Sequence, residues 1–247
     1  MRRELRVLLV TALLGVTWAW GGELSVAVSR MEVFRVHEVD IDIHGLRYLT
    51  RETVLQAMEL TPETSVWSDT ETWVEALGEL PLVRSATVIR RLPHTIVVSL
   101  LERQPVALVA TPTLEPVDGD GILLPLDPAS HRLDLPILET DDSPIDRGRI
   151  MPQRTRVLAG EVDRLMRADT AFLQMLSEVR WGEGNSLVAR WSEPSVDFLL
   201  PFGLSPERLQ EGFVVLGHAM TRTPGDVPES VDLRFADLVV VRRANGN

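Results

Sequence analysis

Apolar and charged residues alternate through Val39-Asp40-Ile41-Asp42-Ile43, and the alternation stops at His44-Gly45. Strand side chains point to opposite faces in turn, so this pattern predicts a strand with one buried face, closed by a turn. After Thr50 the spacing becomes helical, with Val54, Leu55 and Met58 on one side. A second helix opens at Ser68-Asp69-Thr70-Glu71, a capping box whose hydroxyl and carboxylate satisfy otherwise orphaned backbone N–H groups. Its apolar stripe is Trp73, Val74, Leu77 and Leu80, and Pro81 ends it. Val83 to Leu92 then reads as a strand with Ala86, Val88, Arg90 and Leu92 on one face. Arg91-Leu92-Pro93-His94 is a turn, and Thr95 to Glu102 is a strand with Ile96, Val98 and Leu100 inward. Pro105 marks the end of that strand or a sheet edge, because proline cannot donate to a ladder. The order is β, α, α, β, β, in a domain expected over 32–110.

The remainder, 111–247, predicts a mixed β-sheet domain with flanking helices, so the chain as a whole is α+β. Asp118-Gly119-Asp120-Gly121, between Val117 and Ile122-Leu123-Leu124, has the glycine placement of a hairpin turn. From Asp127 to Gln153 the chain is rich in Asp and Pro and reads as an irregular surface excursion. Val157, Leu158, Val162, Leu165 and Met166 recur at helical spacing. Strands follow to about Trp181, over Leu187 to Trp191 and over Val196 to Leu200, with Gly182-Glu183-Gly184-Asn185 as a turn. Ser205-Pro206 supplies the N-cap and first position of a helix striped by Leu209, Phe213, Leu216 and Met220. A last strand pair is expected at Val231 to Phe235 and Leu238 to Val241.

The N-terminus follows a different rule. Arg2, Arg3 and Arg6 precede an apolar run from Val7 to Trp20, interrupted by Thr11, Gly15 and Thr17. Arginines before such a run keep the N-terminus in the cytoplasm and send the rest across the membrane. Taken over 7–22, about 16 residues, the run spans ~24 Å of a ~30 Å hydrocarbon core, which suits a cleaved signal peptide. Trp18 and Trp20 at the far end and Arg6 at the near end suit a retained span, as headgroup-level aromatics and a snorkelling cation. The retained span is the preferred reading: an arm at 1–6, a transmembrane helix at 7–22, and the bulk outside.

Composition narrows the chemistry. The 247 residues carry 25 basic and 36 acidic side chains, for a net charge of −11, which disfavours a nucleic-acid backbone as ligand. Every basic residue is Arg, and cysteine is absent. This excludes a P-loop lysine, a Schiff base, a thiol nucleophile, cysteine-ligated metals and disulfides. His37, His44, His94, His131 and His218 fall in no metal-binding spacing, and no nucleophile elbow or dinucleotide loop is present. Asp40 with Asp42, and Asp141 with Asp142, read as solvated pairs. Arg84, Arg90 and Arg91 are either a basic patch for an acidic segment or lipid headgroups, or ordinary strand solvation. No catalytic residue, cofactor or metal is predicted. Leu238-Val239-Val240-Val241 is apolar throughout and is followed by Arg242-Arg243. In a central strand it is core on both faces; at a sheet edge it invites strand addition by a partner.

Particular residues carry a resemblance. Val36-His37-Glu38-Val39-Asp40-Ile41-Asp42-Ile43-His44-Gly45 is followed by Val83-Arg84-Ser85-Ala86-Thr87-Val88-Ile89-Arg90-Arg91-Leu92-Pro93, and then by Glu102-Arg103-Gln104-Pro105-Val106-Ala107. With Ser230-Val231-Asp232-Leu233-Arg234-Phe235 near the end, these resemble the FtsQ/DivIB family of bacterial cell-division proteins. Leu92 departs from the tryptophan usual in that family. The resemblance implies a POTRA domain marked by Arg90, Arg91, Pro93, Glu102, Arg103 and Pro105. It also implies a non-enzymatic single-span scaffold of the inner membrane at the septum, recruiting FtsB/FtsL-type partners and linked to septal cell-wall synthesis. Partner contacts would fall on Arg234, Phe235, Leu238, Val239, Val240 and Val241, with Leu209 and Phe213 on the adjoining helix. Arg234 would pair with a partner acid. The rival readings are another POTRA-bearing chaperone or secretion module, for which too few residues remain to build a barrel, and a secreted hydrolase, for which no convergent acid/base set is found.

Overall fold

The computed structural model describes residues 32–37, 40–111, 113–140, 149–168, 175–223 and 225–243. The predicted arm and span, with Arg6, Trp18 and Trp20, lie outside the described residues, as do Asp141 and Asp142. Among the described residues no helix is long and apolar enough to cross a membrane. The chain divides into two compact units between Glu102 and Arg103.

The first unit has the predicted order. Strand β1 (Ile41–His44) leads to helices α1 (Arg51–Met58) and α2 (Thr70–Gly78), then to β2 (Val83–Arg91) and β3 (Thr95–Glu102). The three strands lie in the order β1-β3-β2, with β1 parallel to β3 and β2 antiparallel to it. The parallel pair needs a long connection, which the two helices and β2 provide. Ile41, Val54, Met58, Trp73, Leu77, Ile96 and Val98 form its core. Thr50 caps α1 by accepting from the Thr53 N–H. The cap of α2 is Asp69, one residue later than the predicted capping box, and it accepts from the Glu71 N–H at 2.9 Å. Ser68 instead accepts from the Ser65 N–H at 3.0 Å. Gly45 is required where it stands, because its φ is +85° and a Cβ there would lie 2.0 Å from the Leu100 carbonyl oxygen.

The second unit contains a sheet of eight strands: β4 (Pro105–Ala110), β5 (Leu114–Asp118), β6 (Ile137–Glu139), β7 (Leu176–Gly182), β8 (Ser186–Trp191), β9 (Val196–Pro201), β10 (Ser230–Asp232) and β11 (Val240–Arg242). Their order is β11-β10-β9-β8-β7-β6-β4-β5. Three neighbouring pairs are parallel: β4 with β6, β6 with β7, and β9 with β10. Helix α3 (Gln153–Ala168) lies between β6 and β7, and α4 (Pro206–Arg222) between β9 and β10. Leu158, Val162 and Leu165 of α3 share one core with Leu209 and Leu216 of α4 and with Val179, Ala189, Phe198, Leu200 and Val231 of the strands. Both helices therefore cover the same face. On the other face the register aligns Glu178 with Arg190 and Arg190 with Asp197. There Arg190 bonds Asp197 at 2.8 Å and Glu178 at 3.1 Å, and Arg180 approaches Asp197 at 3.4 Å and Glu139 at 3.7 Å. The adjacent carboxylate of Asp197 raises the Arg190 pKa above its ordinary value.

Several elements differ from the sequence expectations. Pro105 opens β4, which belongs to the second sheet, so the first unit ends at Glu102 rather than near 110. The Asp/Pro-rich stretch is not wholly irregular: Ile137–Glu139 is an interior strand. Three residues are too few to show a period, and only the neighbours β4 and β7 specify them. Val157 is 40% exposed, outside the buried stripe of α3. Phe198 is fully buried, with the rings of Trp191 and Phe213 at 5.6 and 5.3 Å. Phe198→Ala is expected to destabilise the second unit by about 3–5 kcal/mol in urea unfolding, and Val214→Ala on the exposed side of α4 by less than about 0.5 kcal/mol.

Candidate functional site

The two edges of the large sheet are built differently. Alongside β5 the chain returns on itself: the Leu124 N–H donates to Pro116 O at 2.8 Å, the Asp118 N–H donates to Ile122 O at 3.0 Å, and Val117 bridges Leu123. Pro116 also removes one donor from that edge. At the other edge β11 pairs only with β10, aligning Val231 with Val241 and Asp232 with Val240. Its outer side has no strand neighbour among the described residues.

Helix α4 sets the position of this edge. Ser205 caps it by accepting from the Arg208 N–H, with Pro206 at its first position. Leu209 and Leu216 are buried. Gly212 lets the helix approach Leu233, since a Cβ there would lie 2.7 Å from a Leu233 methyl. The Arg208 guanidinium donates to Phe235 O and Leu238 O, both at 2.8 Å, and also pairs with Glu211. It thereby holds the turn between β10 and β11, which presents Phe235 and Leu238 at 50% and 58% exposure. Arg243 closes the far end of β11 on the helix C-terminus, donating to Ala219 O at 3.1 Å and Thr223 Oγ1 at 2.9 Å, where helix carbonyls lack internal partners. Between them lies a groove of about 690 Å³ lined by Val215, Ala219, Val239 and Val241 with His218 and Arg222.

Asp232 governs the start of the turn. Its carboxylate is fully buried and takes three bonds from Arg234: the backbone N–H at 3.1 Å, Nε at 2.9 Å and a terminal nitrogen at 2.6 Å. The Arg234 hydrogen bonds hold this carboxyl below its ordinary value of 3.8 despite burial, and the same pair raises the Arg234 guanidinium. The expected strand pair is shorter than its apolar run for this reason. Bonding to Asp232 turns the chain at Arg234, and Arg208 fixes Phe235 and Leu238 outside any strand.

The predicted contact residues thus divide. Phe235, Leu238, Val239, Val240 and Val241 lie together along the turn and edge. Leu209 is core at 1% exposure, and Phe213 packs on Trp191 at 5.0 Å, so both position the helix. Arg234 is engaged by its own chain, whereas Arg242, 61% exposed, reaches Asp232 only at 4.0 Å. Arg208 was not singled out from the sequence, because a helical arginine carries no local sign of the distant carbonyls it holds.

The residues named as the POTRA motif are structural ties. The buried Glu102 carboxylate accepts from the backbone N–H groups of Arg47, Tyr48 and Leu49 at 3.0, 2.7 and 3.1 Å. Arg103 bonds Asp118 at 2.6 Å and Asp120 at 3.1 Å. Arg90 donates to Val66 O and Ser68 O at 2.9 and 3.0 Å, while Arg91 pairs with Asp42 at 3.3 Å, so the arginines of β2 do not form one patch. Pro93 lies in the β2–β3 turn and Pro105 is buried at the start of β4. His37 and His94 each approach Asp40 at 3.3 Å. No cluster of three metal-binding side chains occurs among the described residues.

A three-stranded β-α-α-β-β unit tied at Glu102 is the architecture of a POTRA domain, and residues 39–103 match the family described as POTRA domain, FtsQ-type. The first unit is thus a POTRA domain of the FtsQ type. Along more of its length the chain is similar to two proteins named cell division protein FtsQ. It is 23% identical to that of Geobacter sp. (strain M21), over 90% of this chain and 81% of the relative. It is 31% identical to that of Mycolicibacterium smegmatis, over 57% of this chain and 40% of the relative. The resemblance to the FtsQ/DivIB family read from the sequence is borne out.

The Asp232–Arg234 pair has a measurable signature. Because the folded carboxyl lies below 3.8, its stabilisation is complete above that pH and is lost as pH falls through the depressed value. Wild-type stability should therefore fall more steeply below about pH 4 than that of Asp232→Asn. Arg234→Ala, which leaves the buried carboxylate only a backbone N–H and the distant Arg242, should lower the melting temperature at neutral pH by more than Arg242→Ala does.

Proposed function

We propose that this chain is a cell-division scaffold, not an enzyme. On this reading it is held in the inner membrane by a single span at 7–22 and works outside the cytoplasm at the septum. The domains are an arm at 1–6, the span, the POTRA domain and the C-terminal β domain. Similarity to proteins named cell division protein FtsQ supports the division role. The observation that carries the mechanism is the asymmetry of the large sheet: the β5 edge is covered by its own chain, and among the described residues the β11 edge has no strand beside it.

An extracytoplasmic segment of an FtsB/FtsL-type partner adds a strand to β11 through main-chain bonds, with side chains received by the α4–β11 groove and by Phe235 and Leu238. Arg234 is committed to Asp232, so Arg242 is the better placed cation for a partner carboxylate. Confinement to the membrane plane and recruitment of these partners link the chain to septal wall synthesis.

The full-length chain in detergent should bind the extracytoplasmic segment of such a partner. Phe235→Ala, removing an exposed aromatic anchor, should weaken binding at least about 30-fold, the scale of an interface hot spot. Val241→Pro, which removes a donor from the outer side of β11 while the residue aligned with Asp232 keeps its bonds to β10, should abolish it. Circular dichroism is the control that both variants remain folded. Binding indifferent to both substitutions would place the partner surface elsewhere.

A further inference from the structure

We infer that one end of the POTRA domain rests on the bilayer surface through Trp67, Val33 and Leu92. The inference rests on the proposed span at 7–22. Three separate segments bring these residues to one end. The chain enters through a short 3-10 turn (Glu32–Phe34), whose Phe34 O accepts from the Val66 N–H at 2.8 Å, and Arg35 bridges Ser65. This places Trp67 against Phe34, with ring centroids 5.8 Å apart. Arg90 holds the carbonyls on either side of Trp67, those of Val66 and Ser68. The β2–β3 turn carrying Leu92 lies at the same end, because Arg91 is aligned with Thr95 and the first residue of β1, Ile41, with Ile96. His94 of that turn approaches Asp40 at 3.3 Å.

Val33, Trp67 and Leu92 are 53%, 48% and 58% exposed. Scattered exposed apolar residues need no explanation, but here three segments converge where the chain enters the domain. The ten residues from Gly22 to Glu32 reach at most ~35 Å when extended, about the ~30 Å length of nine-residue β2. The tether therefore keeps this end within one domain length of the bilayer. Tryptophan is the side chain that settles at headgroup level, its apolar body in the acyl boundary and its N–H in the polar layer. Charge contributes little, since Arg91 is paired with Asp42 and Glu32 offsets Arg35. The contact should therefore persist in zwitterionic lipid and at high salt.

The absence of cysteine allows single-site labelling of the full-length chain in phosphatidylcholine vesicles. An environment-sensitive fluorophore is placed at Val33→Cys or Leu92→Cys, keeping Trp67. Glu79→Cys, just after α2 at the other end of the domain, is the aqueous control and Leu13→Cys tests the span. The labels at 33 and 92 should be blue-shifted and quenched by spin-labelled lipid near the headgroups, the label at 79 should not, and Trp67→Ser should abolish the shift at 92. Deep quenching at 13 with labels at 33 and 92 as wet as at 79 would overturn the inference and leave the span standing. No quenching at 13 would remove the span and the inference with it. A shift at 33 and 92 without lipid quenching would mean that protein covers the patch, again overturning the inference.

Discussion

Parallel neighbours in a sheet cannot be joined by a tight turn, and the second unit contains three such pairs. Two of its crossings carry a helix, α3 between β6 and β7 and α4 between β9 and β10. Both helices pack on the same face, so every strand from β7 to β10 needs apolar residues inward. Phe198, Ala189, Val179 and Val231 face the helices, while Asp197, Arg190, Glu178 and Ser230 occupy the alternate positions. The ion pairs on the open face are individually worth little at their exposure. Their consequence is in register: a one-residue slip would send the charges into the core.

The same connectivity produces the candidate site. Once α4 has crossed over, β10 runs parallel to β9 and a turn is left to bring back β11. That turn is held from the helix by Arg208 and at its root by the Asp232–Arg234 pair, two polar clamps in place of ladder hydrogen bonds. The strand they place at the edge is short, partly apolar and, among the described residues, without a strand on its outer side, whereas natural edges are usually shielded. The opposite edge shows such shielding in this molecule, with Pro116 and the returning Ile122–Leu124 segment.

Much of the first unit was legible because its signals are local. Alternation at 39–43, the helical stripe of Trp73, Val74 and Leu77, expected to reach Leu80 but stopping with the helix at Gly78, and Gly45 each state their conformation within a few residues. Glu102 and Arg103 were recognisable as a motif, but their roles were not, because Glu102 bonds residues more than fifty positions away. In the second unit α4 was legible from Ser205-Pro206 and its stripe. The strand β6 was not, since three residues carry no period of their own.

The candidate edge shows the same division. Its apolar run, its two following arginines and the aromatic before it are properties of the sequence. Whether that run is central or at an edge depends on strand order, which neighbours far along the chain determine. The pairing of Arg234 with Asp232 rather than with an incoming acid is likewise a matter of burial. A carboxylate enclosed by the fold needs a partner of its own, and the nearest cation supplies it.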